Sequence, residues 1–294
     1  MTAVALILIG LAALVLGAEL LVRAGTHVAS LLGVPPILIG LTVVSVGTSF
    51  PELATGINAA LAGSGSMAVG NIAGTNTFNL LFILGLSALL MPVQVDLRTL
   101  RLDVPVMIVA ALALLAAAWN LVLTRIEGAI FVAAAIAYTL ALVLSVRKED
   151  EKASTEFDQA FAARDGRPRA RQIAWNALLL AAGLVVIVIG SDWLVGGAMD
   201  LARRTGISEA FIGLTIVAIG TSSPELVTTI VSTIRGKRDI AIGNLLGSGV
   251  YNIFAILGIT LLVPSGGVLI TPEIVLIDIP VMLAATVACL PILL

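Results

Sequence analysis

Apolar residues in this chain run in blocks long enough to cross a bilayer, and short polar gaps separate them. The blocks cover residues 3–24, 37–62, 67–90, 103–119, 127–146, 174–201, 210–234, 240–263 and 274–294. A spanning helix needs about 20 largely apolar residues. The pattern therefore predicts nine spanning helices. One stretch interrupts it: residues 147–173 hold seven Lys/Arg and six Asp/Glu. It reads as a solvated connector between five spans and four.

The polar residues inside the blocks occur twice. Gly47-Thr48-Ser49-Phe50-Pro51-Glu52 returns 173 residues later as Gly220-Thr221-Ser222-Ser223-Pro224-Glu225. At the same offset Gly70-Asn71-Ile72-Ala73-Gly74-Thr75, then Asn79, returns as Gly243-Asn244-Leu245-Leu246-Gly247-Ser248, then Asn252. Weaker pairs extend the match: Glu19 with Asp192, Gly33 with Gly206, Gly40 with Gly213, Gly85 with Gly258, and Asp103-Val104-Pro105 with Asp278-Ile279-Pro280. The expected organisation is a first repeat over 1–146, a connector over 147–173 and a second repeat over 174–294. The fifth span, 127–146, has no counterpart in the second half, so the second repeat counts four helices in this chain.

Composition closes off other classes. The chain is 59% hydrophobic and 12% charged over 294 residues, with mean hydropathy +1.13, a profile of polytopic membrane proteins. A net charge of −2 and the lack of a basic arm give no footing for nucleic acid. The single cysteine, Cys289, excludes an intrachain disulfide and a cysteine-built metal site. The apolar N-terminus, with no basic region or small-residue cleavage site, reads as a retained helix. Charge also orients the chain. With the N-terminus outside, the inner loops hold Arg23, Arg98, Arg101, the seven connector bases, Arg235, Lys237 and Arg238, which is 13 of the 16 basic residues. Arg125, Arg203 and Arg204 lie outside. That excess predicts a cell-membrane protein with 147–173 in the cytoplasm. Because the first half has five spans, the second enters from the opposite face, and the repeats are inverted, a layout of secondary transporters.

The repeated motifs place carboxylates and prolines inside apolar blocks. Pro51 has no N–H for the Gly47 carbonyl, and its ring crowds that carbonyl. The helix is expected to kink or open over 47–51, and likewise over 220–224. Irregular backbone at that depth must face protein or a wet cavity. Thr48, Ser49 and Glu52, with Thr221, Ser222 and Glu225, supply hard oxygen donors. Thr75 with Asn79, and Ser248 with Asn252, add further donors four residues apart on one helix face. Such a set suits Ca²⁺ or Na⁺ and not Zn²⁺ or Cu⁺. A carboxylate at mid-membrane costs roughly 2.5–3.5 kcal/mol on the insertion scale, so two of them at related positions predict a shared cation site. Gly70, Gly74, Gly243 and Gly247 form small-xxx-small pairs and read as helix-packing positions.

The paired GTS-x-PE and GN-x-x-G-[ST] motifs resemble the repeats of the calcium/cation antiporter superfamily, and most closely its bacterial sodium/calcium exchanger branch. The resemblance covers nearly the whole chain. It implies an all-α polytopic fold of two inverted-topology repeats of five helices, the last helix of the second being absent from this chain. It implies a secondary antiporter, not an enzyme, exchanging Ca²⁺ for Na⁺ by alternating access, with no cofactor beyond these transported ions and no obligate protein partner. A Ca²⁺/H⁺ antiporter using the same two glutamates is the alternative. The implied Ca²⁺ ligands are Glu52 and Glu225 with the Thr48 and Thr221 carbonyls. The implied Na⁺ sites use Ser49, Thr75, Ser222 and Ser248 with the Ser45 and Ala218 carbonyls, and Asn79 and Asn252 sit centrally. This chain departs from the family pattern at Asn252, where some members carry aspartate, and at Thr75, where serine is more usual.

Other functions fit less well. A channel commonly builds its pore from symmetric subunits, whereas this chain supplies its own two-fold-related halves. An intramembrane hydrolase would need a base beside Ser49 or Ser222, yet the only histidine is His27 and no span holds a lysine. Glu19 and Asp192 are expected to pair with loop bases or line an ion path. Asp103 and Asp278 are expected to stabilise helix N-termini.

Overall fold

The computed structural model describes residues 2–91, 102–161, 169–206 and 218–293. They form helices α1 (Thr2–Leu32), α2 (Pro36–Thr48), α3 (Phe50–Leu61), α4 (Gly65–Leu90), α5 (Asp103–Ala118), α6 (Arg125–Phe161), α7 (Arg169–Arg204), α8 (Ala218–Thr221), α9 (Ser223–Ile234), α10 (Arg238–Leu262) and α11 (Ile279–Leu293). The strands β1 (Val122–Leu123) and β2 (Val268–Leu269) pair antiparallel, tying the start of α6 to the loop after α10.

Among the described residues, five helices are long and apolar enough to span, and the bent pair α2–α3 makes a sixth. The shorter apolar helices Asp103–Ala118 and Ile274–Leu290 occupy two more of the nine predicted blocks. The block at 210–234 lies partly outside the described residues, as do Gly213, Arg98 and Arg101. The connector differs from expectation. Residues 147–161 continue α6 and are not a loop. They are rich in Glu, Lys, Ala and Gln, all good helix formers, and no Gly or Pro occurs before Gly166 and Pro168. The helix therefore propagates past the apolar block.

The predicted break falls at one residue. Ser49, at φ −85° and ψ 8°, separates α2 from α3, with Pro51 in the first turn of α3. The two helices meet at 41°. Ser222 repeats the conformation at φ −82° and ψ 2°, ahead of Pro224. Both hairpin turns also match: Gly63 (φ +73°) and Gly236 (φ +69°) take the left-handed conformation that glycine adopts without penalty. Among the described residues, four π-helical turns were not foreseen: Gly40–Val44 in α2, Asn79–Ile83 in α4, Asn252–Leu257 in α10 and Ile274–Asp278 before α11.

Helices α1 and α7 pack along most of their length. A Cβ on Gly10 would lie 2.7 Å from the Gly190 carbonyl oxygen, one on Gly17 2.9 Å from that of Gly183, and one on Gly197 2.7 Å from that of Ala3. In each pair the residue numbers sum to 200, so the helices run antiparallel. They are also copies of one another at the 173-residue offset, which makes the repeats inverted. The Gly10, Gly17, Gly183, Gly190 and Gly197 seam, spaced by sevens, lets the backbones approach as small residues do between membrane helices. Leu14, Leu21 and Ile187 fill the space beside it. A second, larger core joins α4, α5, α6, α10 and α11 around Ile83, Met107, Leu114, Leu142, Leu245 and Leu257. Leu8, Leu16, Leu89, Ile126 and Leu276, each more than half exposed, point outwards where lipid would lie.

Candidate functional site

The broken helices bring the two halves of the repeat face to face. Ser49, at the first break, donates from Oγ to Glu225 Oε1 at 3.3 Å. Ser222, at the second, donates from Oγ to Thr75 Oγ1 at 3.4 Å. Glu52 lies in the first turn of α3 and Glu225 in the first turn of α9, and both are fully buried. The hydroxyls of Thr221 and Thr75 face Glu52, and those of Thr48 and Ser49 face Glu225. Glu52 thus looks towards one hydroxyl of each repeat, and Glu225 towards two of the opposite repeat. A carboxylate at a helix N-terminus also sits at the positive end of the helix dipole.

Every side chain of the predicted set that is described is buried: Ser45, Thr48, Ser49, Glu52, Thr75, Asn79, Thr221, Ser222, Glu225, Ser248 and Asn252. Ala218 opens α8, one turn before Thr221. The Ser45 carbonyl is not free. It accepts the Ser49 N–H at 3.3 Å, Thr48 Oγ1 at 3.3 Å and Ser248 Oγ at 3.5 Å. The break at Ser49 keeps this bond, so the carbonyl released by Pro51 is that of Gly47.

The carboxylates have little internal compensation. Among the described residues, Glu52 Oε1, Glu52 Oε2 and Glu225 Oε2 have no hydrogen-bond partner. Ion pairs among the described residues include those of Glu19 with Arg23 and Arg235 and of Asp200 with Arg204, and these glutamates take part in none of them. Burying an ionised carboxylate without a partner is costly, and a second one within coulombic reach adds repulsion. Asn79, whose amide nitrogen and oxygen both lack partners among the described residues, and Asn252, whose amide oxygen lacks one, add further orphaned oxygens. Both asparagines open π-helical turns, a distortion that recurs at functional sites. No group of three or more His, Cys, Asp or Glu occurs among the described residues, so hydroxyl, amide and carbonyl oxygens must supply the rest of any coordination shell.

Two residues at the centre went unpredicted. Asn76 donates from Nδ2 to the Gly249 carbonyl at 3.0 Å and accepts from Asn252 Nδ2 at 2.9 Å. Gly249 is its counterpart at the 173-residue offset, so α4 and α10 cross there on the pseudo-two-fold axis. Asn244 accepts from Thr48 Oγ1 at 3.1 Å and donates to Thr229 Oγ1 at 3.3 Å. Asn76 was hidden because its partner position holds glycine. Asn244 was visible in the motif, but its role needed the helix crossing. The glycines divide. A Cβ on Gly243 would lie 2.7 Å from the Ile37 carbonyl oxygen, and one on Gly247 2.5 Å from that of Leu41, so both are packing positions. On Gly70 it would meet only Ile274 Cδ1, at 3.1 Å, and on Gly74 nothing within 4 Å among the described residues.

Comparison with known proteins agrees with this architecture. The chain matches the family described as sodium/calcium exchanger protein over residues 2–144 and 175–294. It is 34% identical to the inner membrane protein YrbG of Escherichia coli strain K12, over 90% of this chain and 81% of that one. It is 31% identical to the sodium/calcium exchanger MaX1 of Methanosarcina acetivorans, over 87% of this chain and 81% of its relative. The solved structure of the sodium-calcium exchanger NCX_Mj superposes with a TM-score of 0.84 at 24% identity, covering all of this chain and 90% of that one. A multi-pass all-helical fold of inverted repeats, matched along both repeats by one family of transporters, makes this chain a member of the sodium/calcium exchanger protein family.

Proposed function

We propose that this chain is a secondary antiporter that exchanges Ca²⁺ for Na⁺ at the site between Glu52 and Glu225. The observation that carries the reading is the pair of fully buried carboxylates, contributed by inverted helices, with three of four oxygens unpartnered among the described residues. A divalent cation balances both charges and accepts the orphaned oxygens as ligands. Ca²⁺ takes six to eight oxygens in flexible geometry, which Glu52, Glu225 and the Thr48 and Thr221 carbonyls begin to supply. Na⁺ uses the hydroxyls of Ser49, Thr75, Ser222 and Ser248 with the carbonyls of Ala218 and of Ser45, the latter exchanging its long contact from Ser248 Oγ for the ion. Asn79 and Asn252 are the central amides. The two ions share oxygens, so one displaces the other.

Two like charges in a low-dielectric site repel when no cation lies between them. The loaded forms therefore cross between the two accesses more readily than the bare one, and this couples the fluxes. In the membrane the N-terminus is outside, and the stretch joining repeat 1–146 to repeat 174–294 is cytoplasmic, on the basic-residue count. The test is Ca²⁺ uptake into proteoliposomes under an imposed Na⁺ gradient with pH clamped on both sides. Uptake that follows the Na⁺ gradient supports the proposal. Uptake driven only by a pH gradient replaces Na⁺ with H⁺ as the coupling ion.

A further inference from the structure

Helix α9 is amphipathic the wrong way round. Its buried face reads Glu225, Thr228, Thr229, Ser232 and Thr233, each 0–1% exposed, while Leu226, Val227, Ile230 and Val231 are half-buried and Ile234 is exposed. A helix lying against an ordinary core shows the reverse. Three of these polar groups, Glu225, Thr229 and Thr233, bind neighbours, and Glu225 accepts from Ser49 Oγ. Thr229 accepts from Asn244, Thr233 donates to the Thr229 carbonyl at 2.8 Å, and Thr233 and Ser87 hydroxyls lie 2.8 Å apart. The other two do not. Thr228 Oγ1 and Ser232 Oγ are buried and lack a partner among the described residues. They stand four residues apart on the face that begins at Glu225, and three residues beyond Ser232 comes Arg235.

Arg235 closes that face. Its Nε donates to Glu19 Oε2 at 2.8 Å, while Glu19 Oε1 accepts from Arg23. Glu19 lies well inside α1 and is only 20% exposed. The contact thus joins the α1–α7 pair to the site-bearing helix at the basic end of the molecule. The opposite repeat has no such arrangement. The positions equivalent to Thr228, Ser232 and Arg235 are Thr55, Ala59 and Ala62, and α3 buries Gly56, Ala59 and Ala60 instead of hydroxyls.

We propose that Glu225, Thr228 and Ser232 line an ion path from the site to the Arg235 end of the molecule, and that the Glu19–Arg235 ion pair holds this path shut. The orphaned hydroxyls are the oxygens a partly dehydrated hard cation would use in transit. Their burial shows the path in its closed form. Breaking the pair loosens the Arg235 end of α9 from α1, beyond their apolar contact through Val227 and Val231, and admits water along the stripe. This rests on the antiport reading for the identity of the cargo, but the closure itself is a statement about water access.

The test exploits the lone cysteine. In a Cys289→Ala background, Ser232→Cys and, separately, Thr228→Cys are reconstituted and exposed to a small cationic thiol reagent on the Arg235 side. With the ion pair intact, labelling is slow. Adding Arg235→Gln or Glu19→Gln is expected to speed it at least tenfold, and the charge swap Glu19→Arg with Arg235→Glu is expected to restore the slow rate. Fast labelling with the pair intact, or a rate unchanged by Arg235→Gln, overturns the proposal. Backbone deuterium exchange over residues 225–235 in the chain carrying only Arg235→Gln is the second measurement, requiring no buried substitution. It should rise in the variant, and unchanged exchange also overturns the proposal. Because these readouts follow water and not cargo, failure of Na⁺-driven uptake would sink the antiport reading without altering them.

Discussion

Where their described hairpins correspond, the two repeats share helix boundaries to the residue, and they differ in what they bury. Phe50–Leu61 and Ser223–Ile234 begin and end 173 positions apart, as do Gly65–Phe78 and Arg238–Tyr251. Yet α3 buries glycine and alanine where α9 buries threonine and serine. The outer faces differ as well. Helix α6 covers α10, with a Cβ on Gly128 falling 2.8 Å from the Gly258 carbonyl oxygen. Gly85, the counterpart of Gly258, has nothing within 4 Å among the described residues. The lesson is that prolines, break-site serines and turn glycines carry the path of the chain, while the residues between them are free to make the two ends of the molecule unlike.

The strongest way to break the symmetry is to remove one charge at a time. Glu52→Gln and Glu225→Gln should each lower Ca²⁺ uptake in proteoliposomes by about 100-fold or more, since loss of one partner in a buried ionic cluster costs about 3–5 kcal/mol. The fold should survive, as read by monodisperse elution and helical circular dichroism. A variant that keeps exchange would show that its half of the site does not hold cargo.

The next comparison is steric. Gly128→Ala would place a methyl 2.8 Å from both the Gly258 carbonyl oxygen and Leu261 Cβ. It should lower stability by about 1–3 kcal/mol, seen as a fall in melting temperature in detergent. Gly85→Ala should be neutral or stabilise by up to about 1 kcal/mol, because alanine is the better helix former. Equal losses at both positions would mean that the two outer faces are covered alike.

Asn252→Asp tests the centre. Asn252 Nδ2 donates to Asn76 Oδ1, and a carboxylate there would meet an acceptor instead. The change should cost about 1–3 kcal/mol and shift the Na⁺ or pH dependence of uptake. Superimposable curves would remove position 252 from the ion cluster. The smallest effect is expected at Tyr138→Phe. Tyr138 Oη donates to the buried Asp103 Oδ1 at 2.9 Å, so the loss should be about 1.5 kcal/mol, the low end for a bond to a carboxylate, whereas Asp278, the counterpart of Asp103, is half-exposed. This bond also explains Asp103, which the sequence pattern assigned only to a helix N-terminus.

Much of the site was legible because its chemistry is anomalous for its surroundings. A proline, a glutamate and hydroxyls inside an apolar block stand out, and their recurrence at a fixed offset turns an anomaly into a pattern. The glycine seam between α1 and α7 was equally present as a spacing of seven, but sparse glycines in apolar helices carry little contrast. The π-helical turns at Asn79 and Asn252 leave no local trace, since an α-turn and a π-turn admit the same side chains. The helical run over 147–161 was misread because charge was equated with loop, although its residues favour helix.

Residue order alone determined the span pattern, the inverted pairing of the halves, the break positions and the identity of the buried acids, because each follows from local backbone rules or from the cost of polarity in hydrocarbon. Only the tertiary structure decided which oxygens are already spent, such as the Ser45 carbonyl, and which are left over, such as those of Glu52. It alone showed that Asn76 meets its own counterpart and that Glu19 reaches Arg235. Those facts depend on how helices far apart in the chain cross, and crossing geometry comes from the packing of whole surfaces that no local pattern encodes.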